Sequence, residues 1–314
     1  MGSLPFEKGI DLCEAFFIEH GRPMLERGFA GSANKIAAGL VGDGSECYGF
    51  DDELSRDHDW GPGFCLWIRR SDREELLEPL SMAYRGLPRV FSGLGPRRES
   101  LYGQGRVGVF CIEDFYQGFT GLDFLPQTLD QWLAIPENSL AAATNGRVFC
   151  DFLGEFTGWR KKYLAFYPED VRKKKLASRA MTIGQSGQYN FLRSVKRGDF
   201  VAAAYAQTKF SADVASMVHL LARRYTPFYK WMKKSLLSLG GLGLLAAQKL
   251  EAMIIENNWT KKGQFIESVC GDLVEELLSQ GLTSISSDFL ADHGPAIQET
   301  ISDPDLAARN VWVG

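Results

Sequence analysis

Hydrophobic periodicity changes once along this 314-residue chain, near Gly154, and that change constrains the fold more than any other feature. Before it, apolar residues come in short unbroken runs: Ile36 to Val41, Phe64 to Ile68, Val107 to Ile112 and Val148 to Phe152. Runs of that length read as strands buried on both faces. Between the second and third, "SDREELLEPLSMAYRGL" places Leu76, Leu77, Leu80 and Ala83 at helical spacing behind Ser71 and Asp72, residue types that cap a helix start. After Gly154 strand formers thin out. "EFTGWRKKYLAFYPEDVRKKKLASRAM" reads as helix, Pro-marked turn and helix, and "DFVAAAYAQTKFSADVASMVHLLARRY" carries a long apolar stripe at helical period. "LAAQKLEAMIIENN" and "QFIESVCGDLVEELLSQG" follow the same pattern. The expected fold class is therefore α/β plus α: a mixed β-sheet with flanking helices over 1–155, then a helical bundle over 156–314.

Net charge is −4 with a pI near 5.7, so the wide basic surface of a protein that grips extended nucleic acid is missing. The N-terminal stretch has no basic segment followed by an apolar one, and the chain has no apolar run long enough to span a membrane. Cys13, Cys47, Cys65, Cys111, Cys150 and Cys270 stand apart in apolar surroundings without a C-x-x-C pair, as reduced buried thiols do. A cytoplasmic protein is expected, with oligomeric state left open.

The chemistry is concentrated in "GLVGDGSECYGFDDELSRDHDWGPGF", Gly39 to Phe64, with seven acidic residues and six glycines between two strand-like runs. Asp57 and Asp59 lie two apart just before the second run. In an extended segment they project to one face and His58 to the other. Two carboxylates that close repel unless a cation lies with them, and Mg²⁺ is satisfied by one or two carboxylates completed by water and substrate phosphates. Upstream, Gly44 and Ser45 follow the first run. A glycine there lets the backbone approach a ligand, and free N–H groups with the Ser45 hydroxyl suit phosphate oxygens. Asp51, Asp52 and Glu53 read as a solvated turn.

A strand ending in Gly-Ser, a short spacer and Asp-x-Asp entering the next strand resembles the polymerase-β-like nucleotidyltransferase superfamily, which includes the aminoglycoside nucleotidyltransferases. The longer stretch is similar to an uncharacterised, domain-of-unknown-function branch of it. "FYPEDVRKKKLASRA", "GQSGQYNFLRSVKRGD" and "RRYTPFYKWM" extend the resemblance into the second half. The resemblance implies a nucleotidyltransferase catalytic domain followed by a helical substrate-binding domain. It implies transfer of a nucleoside monophosphate, AMP from ATP in the first instance, to a small-molecule acceptor, with pyrophosphate leaving. Ser45 would hold the β- or γ-phosphate, and Asp57 and Asp59 would bind Mg²⁺ or Mn²⁺ and act in catalysis. Attachment of AMP to a protein and a silent nucleotide-binding module are the alternatives.

Such enzymes carry a third carboxylate on the neighbouring strand. Here Gly108, Val109 and Phe110 occupy its centre, leaving Glu113 at its end or Asp151 on the fourth run as candidates. Arg56, or one of Lys161, Lys162, Lys173, Lys174 and Lys175, could offset triphosphate charge, although the lysines read first as a solvated helix face. Gln188, Tyr189, Asn190 and Arg193 combine an aromatic face with amide and guanidinium donors suited to a base or an acceptor, while Ser186 and Gly187 read equally well as capping residues. His58 reads as structural, and His20, His219 and His293 show no ligand spacing.

Overall fold

In a computed structural model of the chain, residues 8–56, 59–97 and 105–314 are described. The chain forms two compact units, Met1–Leu125 with Ser139–Ala165, and Pro126–Asn138 with Phe166–Gly314. The main division thus follows Ala165, later than the boundary expected after residue 155, because the helix that begins at Glu155 packs its aromatic face on the sheet.

In chain order the first part comprises α1 (Gly9–Phe16), α2 (Arg22–Gly28), β1 (Ala37–Leu40), β2 (Cys65–Ile68), α3 (Arg73–Arg85), β3 (Gly108–Cys111), α4 (Ile112–Thr120), α5 (Leu129–Ala134), α6 (Glu137–Thr144), β4 (Arg147–Cys150) and α7 (Glu155–Leu164). The strands form one mixed sheet in the order β3-β2-β1-β4. β1 runs antiparallel to both β2 and β4, and β2 runs parallel to β3. β1, β2 and β3 fall within the apolar runs and β4 begins one residue before its run, at Arg147; the sheet with its flanking helices is the architecture expected from the sequence.

β2 is central, so its alternate side chains feed two cores. Phe64, Leu66 and Ile68 join Leu12, Phe16, Phe17, Leu76 and Leu80 from α1, α3 and the turn after α1. Trp67 points the other way and stacks on Phe156 of α7 with ring centroids 3.7 Å apart, beside Phe115 of α4. Gly39 of β1 makes room for that ring and for β4: a Cβ there would lie 2.5 Å from the Arg147 carbonyl and 3.0 Å from Trp67. Asp72 precedes α3, but its side chain makes no cap bond. It is drawn instead to Arg69 at 2.9 Å and Lys35 at 3.2 Å, and these cations hold its carboxyl below the usual range against the effect of burial.

The second unit is helical: α8 (Glu169–Ile183), α9 (Leu192–Lys196), α10 (Phe200–Leu221), α11 (Met232–Leu239), α12 (Gly241–Ile255), α13 (Trp259–Ser279), α14 (Leu290–Gln298) and α15 (Pro304–Ala307), together with α5. Gly184–Phe191, the "GQSGQYNF" stretch, is a π-helical segment joining α8 to α9. The lysine run on α8 departs from the expected solvated face. Lys174 and Lys175 are buried, because α14 and the C-terminal segment pack against α8 from a second side. Among the described residues no helix is long and apolar enough to cross a membrane.

Candidate functional site

The topology decides which candidates can meet. β1 ends where β2 begins, so Gly44 and Ser45, following β1, leave the same end of the sheet from which Asp59 leads into β2. β3 is parallel to β2, which brings Arg106, just before β3, to that end as well. Glu113 follows the end of β3 and Asp151 the end of β4, which places both at the opposite end. A four-residue strand separates the ends by roughly 13 Å. The structure therefore does not bring either third-carboxylate candidate to Ser45 and Asp59.

Both carboxylates have other work there. Glu113 accepts from the Arg70 amide at 3.0 Å. Asp151 accepts from the Gly154 and Thr157 amides at 3.0 and 2.7 Å, satisfying donors at the start of α7, of which the Gly154 amide also reaches the Asp151 carbonyl at 3.3 Å.

At the near end, Ser45 opens a short 3₁₀ turn, Ser45–Tyr48, that follows Gly44. Its buried hydroxyl donates to Glu46 Oε2 at 3.5 Å. Gly44 serves a purpose different from open approach to a ligand: a Cβ there would meet the Glu46 carboxylate at 2.6 to 2.8 Å. The glycine vacates the space into which that carboxylate folds. Glu46 is held by Arg97 at 2.8 Å, with both side chains almost fully buried. Burial opposes the charge on Arg97, but Glu46 outweighs it and holds the guanidinium above its ordinary range.

Arg97 also donates to the Asp59 carbonyl at 2.8 Å and to the Gly61 carbonyl at 3.2 Å. Thus one guanidinium ties the turn carrying Ser45 to the loop carrying Asp59. That clamp matters because Asp59 has φ 53°, left-handed rather than extended, a conformation aspartate tolerates better than most residues. The expectation that this residue sits on an extended strand entrance is corrected accordingly: β2 starts only at Cys65. The Asp59 side chain is buried, with Arg106 Nη1 3.5 Å from Oδ2. Asp57 and His58 lie outside the described residues.

The acidic turn is also more internal than its composition suggests. Asp51 is buried, and its Oδ2 accepts from the Gly9 amide at 2.8 Å and Trp60 Nε1 at 3.1 Å, so it anchors the start of α1 and the residue after Asp59. Asp52 and Glu53 are both exposed, as a solvated turn predicts, and Asp52 accepts from the amide and hydroxyl of Ser55 at 3.1 and 2.9 Å. Arg56 lies over the Trp60 ring at 5.0 Å. Cys13 and Cys65 line the same interior, where burial pushes their thiols up to about 11 and about 12, so they stay protonated and unreactive. All six cysteines are free.

Of the helical candidates, Gln188 is consumed within its own unit. Its amide donates to Glu267 and the Asp288 carbonyl at 2.7 and 2.8 Å, while its oxygen accepts from Leu290 at 2.8 Å. Tyr189 is exposed, with the Arg193 guanidinium 4.3 Å above its ring, and Asn190 lines a separate cavity with Tyr205 and Trp312. His219 and His293 are buried and hydrogen-bonded to neighbouring groups. Sequence reasoning overlooked Glu46, Arg97 and Arg106. The only signal was charge placed beside apolar or glycine-rich stretches at these three positions.

Residues 132–232 match a family described as a domain of unknown function (DUF4037). A solved nucleotidyltransferase-like protein from Exiguobacterium sibiricum 255-15 is similar over 83% of this chain and 76% of that one, at 12% identity and a TM-score of 0.36. No curated protein matches.

Proposed function

We propose that the protein is a metal-dependent nucleotidyltransferase that moves AMP from ATP to a hydroxyl of a small-molecule acceptor. The observation that carries this reading is the convergence at one sheet end of the Gly44-Ser45 turn and the Asp59 loop, fastened to each other by Arg97. A phosphate-binding hydroxyl and a carboxylate would then face one ligand from two sides, which is the arrangement the sequence resemblance implies.

The donor set fits a hard divalent cation. Asp59 contributes a buried carboxylate, and Asp57, two residues before it in the sequence, would add the second. The protein would thus supply two oxygens and leave the remaining positions to water and phosphate, the habit of Mg²⁺ or Mn²⁺. When bound, the ion would neutralise charge on the phosphoryl group and on the leaving pyrophosphate.

The chain's own residues do the rest. Ser45 donates its hydroxyl to a β- or γ-phosphate oxygen, which requires it to exchange its long bond to Glu46 for a charged acceptor. Arg56 and Arg106 offset triphosphate charge. The acceptor oxygen bonds to the α-phosphorus, the α–β bridging bond breaks, pyrophosphate departs and the hydroxyl proton is lost. Glu113 and Asp151 lie at the far end, so neither of these candidates is placed to receive that proton, which passes to solvent and favours an acceptor that ionises readily. The same observation favours a second reading, a nucleotide-binding module without turnover.

Incubating the protein with α-labelled ATP and Mg²⁺, separately with metabolite extract and with lysate proteins, tests the proposal. Label in a small molecule is the expected result. Label in protein would replace the acceptor class, and nucleotide binding without label transfer to either fraction would favour the silent module.

A further inference from the structure

The π-helical segment Gly184–Phe191 borders a cavity of about 380 Å³, within the usual range of about 300–1,000 Å³ for small-molecule sites. A π-helix bonds each residue to the fifth along rather than the fourth, so residues five apart share a face. Gln185 and Asn190 are five apart, and both line the cavity. Glycine permits this path: a Cβ at Gly187 would collide with the Phe210 ring of α10, and one at Gly184 would lie 2.7 Å from the Ala291 nitrogen of α14. On α10, Ala202 and Ala206 stand one turn apart in the lining, and their short side chains leave room beside Tyr205.

Thr182 and Ser186, also in the lining, spend their hydroxyls on the Arg179 and Thr182 carbonyls at 3.3 and 2.7 Å. Ser194 does not. It is 9% exposed, and its hydroxyl makes no hydrogen bond among the described residues. The side-chain amides of Gln185 and Asn190 and the Tyr205 hydroxyl are likewise without a partner among the described residues. Trp312 completes the lining as a partly exposed ring on a fixed backbone: Ser178 Oγ donates to its carbonyl at 2.9 Å, and its own amide donates to Asn310 Oδ1 at 3.0 Å. Among the described residues of the lining, Lys209 alone carries a charge, and it is ion-paired with Asp213. Gly314 lies outside the lining, its oxygen bound by Arg179 at 3.0 Å.

A phosphate or carboxylate entering this cavity would find no free cation, and an ammonium no free carboxylate, so a charged ligand would lose its hydration uncompensated. The polar groups left over are amides and hydroxyls, which donate and accept alike and so match ligand hydroxyls, each of them donor and acceptor at once. Partly exposed rings beside them suit the apolar C–H face of a sugar ring, whose hydroxyl edge then meets the polar groups. We infer that this cavity binds a neutral monosaccharide, with Gln185, Asn190 and Ser194 bonding its hydroxyls and Trp312 covering its ring face. The site is contained in the helical unit and does not depend on the nucleotide-transfer reading.

Nuclear magnetic resonance titration of the full chain, with its tryptophan indoles labelled with nitrogen-15, tests the inference. The probes are glucose, galactose and mannose, each beside its 2-amino and uronic acid counterparts, and adenine. The Trp312 indole signal, assigned by its absence in Trp312→Phe, is expected to shift saturably with at least one neutral sugar, and to need about ten-fold more of that sugar's charged counterparts. Asn190→Ala, its folding checked by its urea midpoint, is expected to weaken sugar binding about three- to ten-fold, the loss of one hydrogen-bonding amide. Should that variant misfold, the titration of the parent still decides. The inference is overturned if none of the three neutral sugars moves the Trp312 signal, if the charged counterparts bind as well as the neutral sugar, or if folded Asn190→Ala binds as the parent does. Adenine moving the signal where the sugars do not would give the cavity to a flat base and overturn it likewise.

Discussion

Replacing Arg97 by Met is the sharpest test of how the site is held. The substitution keeps an unbranched side chain of similar reach but removes the ion pair to Glu46 at 2.8 Å and the bonds to the carbonyls of Asp59 and Gly61. The two side chains are 6% and 1% exposed, so Glu46 would be left buried with the long Ser45 hydroxyl bond but no cation beside it. Breaking a buried pair from one side costs about 3–5 kcal/mol. The two carbonyl bonds share the same guanidinium and do not add in full. Against a total stability of about 5–15 kcal/mol, the loss is about a fifth or more. Urea denaturation of the parent, Arg97→Met, Glu46→Gln and the double variant gives the coupling, expected at about 2 kcal/mol or more because the double variant leaves no orphaned charge. Hydrogen exchange at the amides of residues 59–63 is expected to accelerate in Arg97→Met before the rest of the unit opens. A cost below about 1 kcal/mol with near-zero coupling would refute the clamp.

Three other outcomes follow from the same coordinates. Gly44→Ala places a methyl group 2.6 Å from a carboxylate that Arg97 prevents from swinging aside, so urea denaturation should show a loss of about 1–3 kcal/mol. Asp151→Ala removes the acceptor for the Gly154 and Thr157 amides and should cost about 1 kcal/mol by the same measurement, while ATP affinity measured by calorimetry stays at the parent value because the residue lies at the far end of the sheet. Burial works to raise the pKa of Glu137, but Arg179 and Lys175 hold it below its ordinary value of 4.5. Its folded pKa is thus below its unfolded one, so its stabilising contribution is present above about pH 4.5 and is lost as pH falls through the folded value. Denaturation midpoints measured from neutral to acid pH should fall more steeply for the parent than for Glu137→Gln.

The strands were legible because a centrally placed strand must be apolar on both faces, and "FCLWI" leaves no other placement for Trp67 and Leu66. Helical stripes such as that of α10 were legible for the analogous reason. What the sequence concealed depends on long-range pairing. Glu46 looks like one more acid in an acidic loop until Arg97 arrives beside it, and Glu113 and Asp151 look like neighbours of Asp59 until strand directions carry them to the other end. Asp59 misled by its spacing: two-residue alternation implies an extended chain, whereas a left-handed turn secured by Arg97 breaks it. Lys174 and Lys175 misled by composition, since a lysine run is normally solvated and only the packing of α14 and the C-terminal segment on α8 buries it.

The central claim is that the sheet end carrying Ser45 and Asp59 receives a metal-bound nucleotide. Calorimetric titration with a non-hydrolysable ATP analogue, with and without Mn²⁺, tests it directly in the parent and in Asp59→Asn, whose folding is verified by its urea midpoint. The account predicts Mn²⁺-dependent binding in the parent and its loss in a folded Asp59→Asn variant. Equal binding by both proteins, or binding by neither, would contradict it.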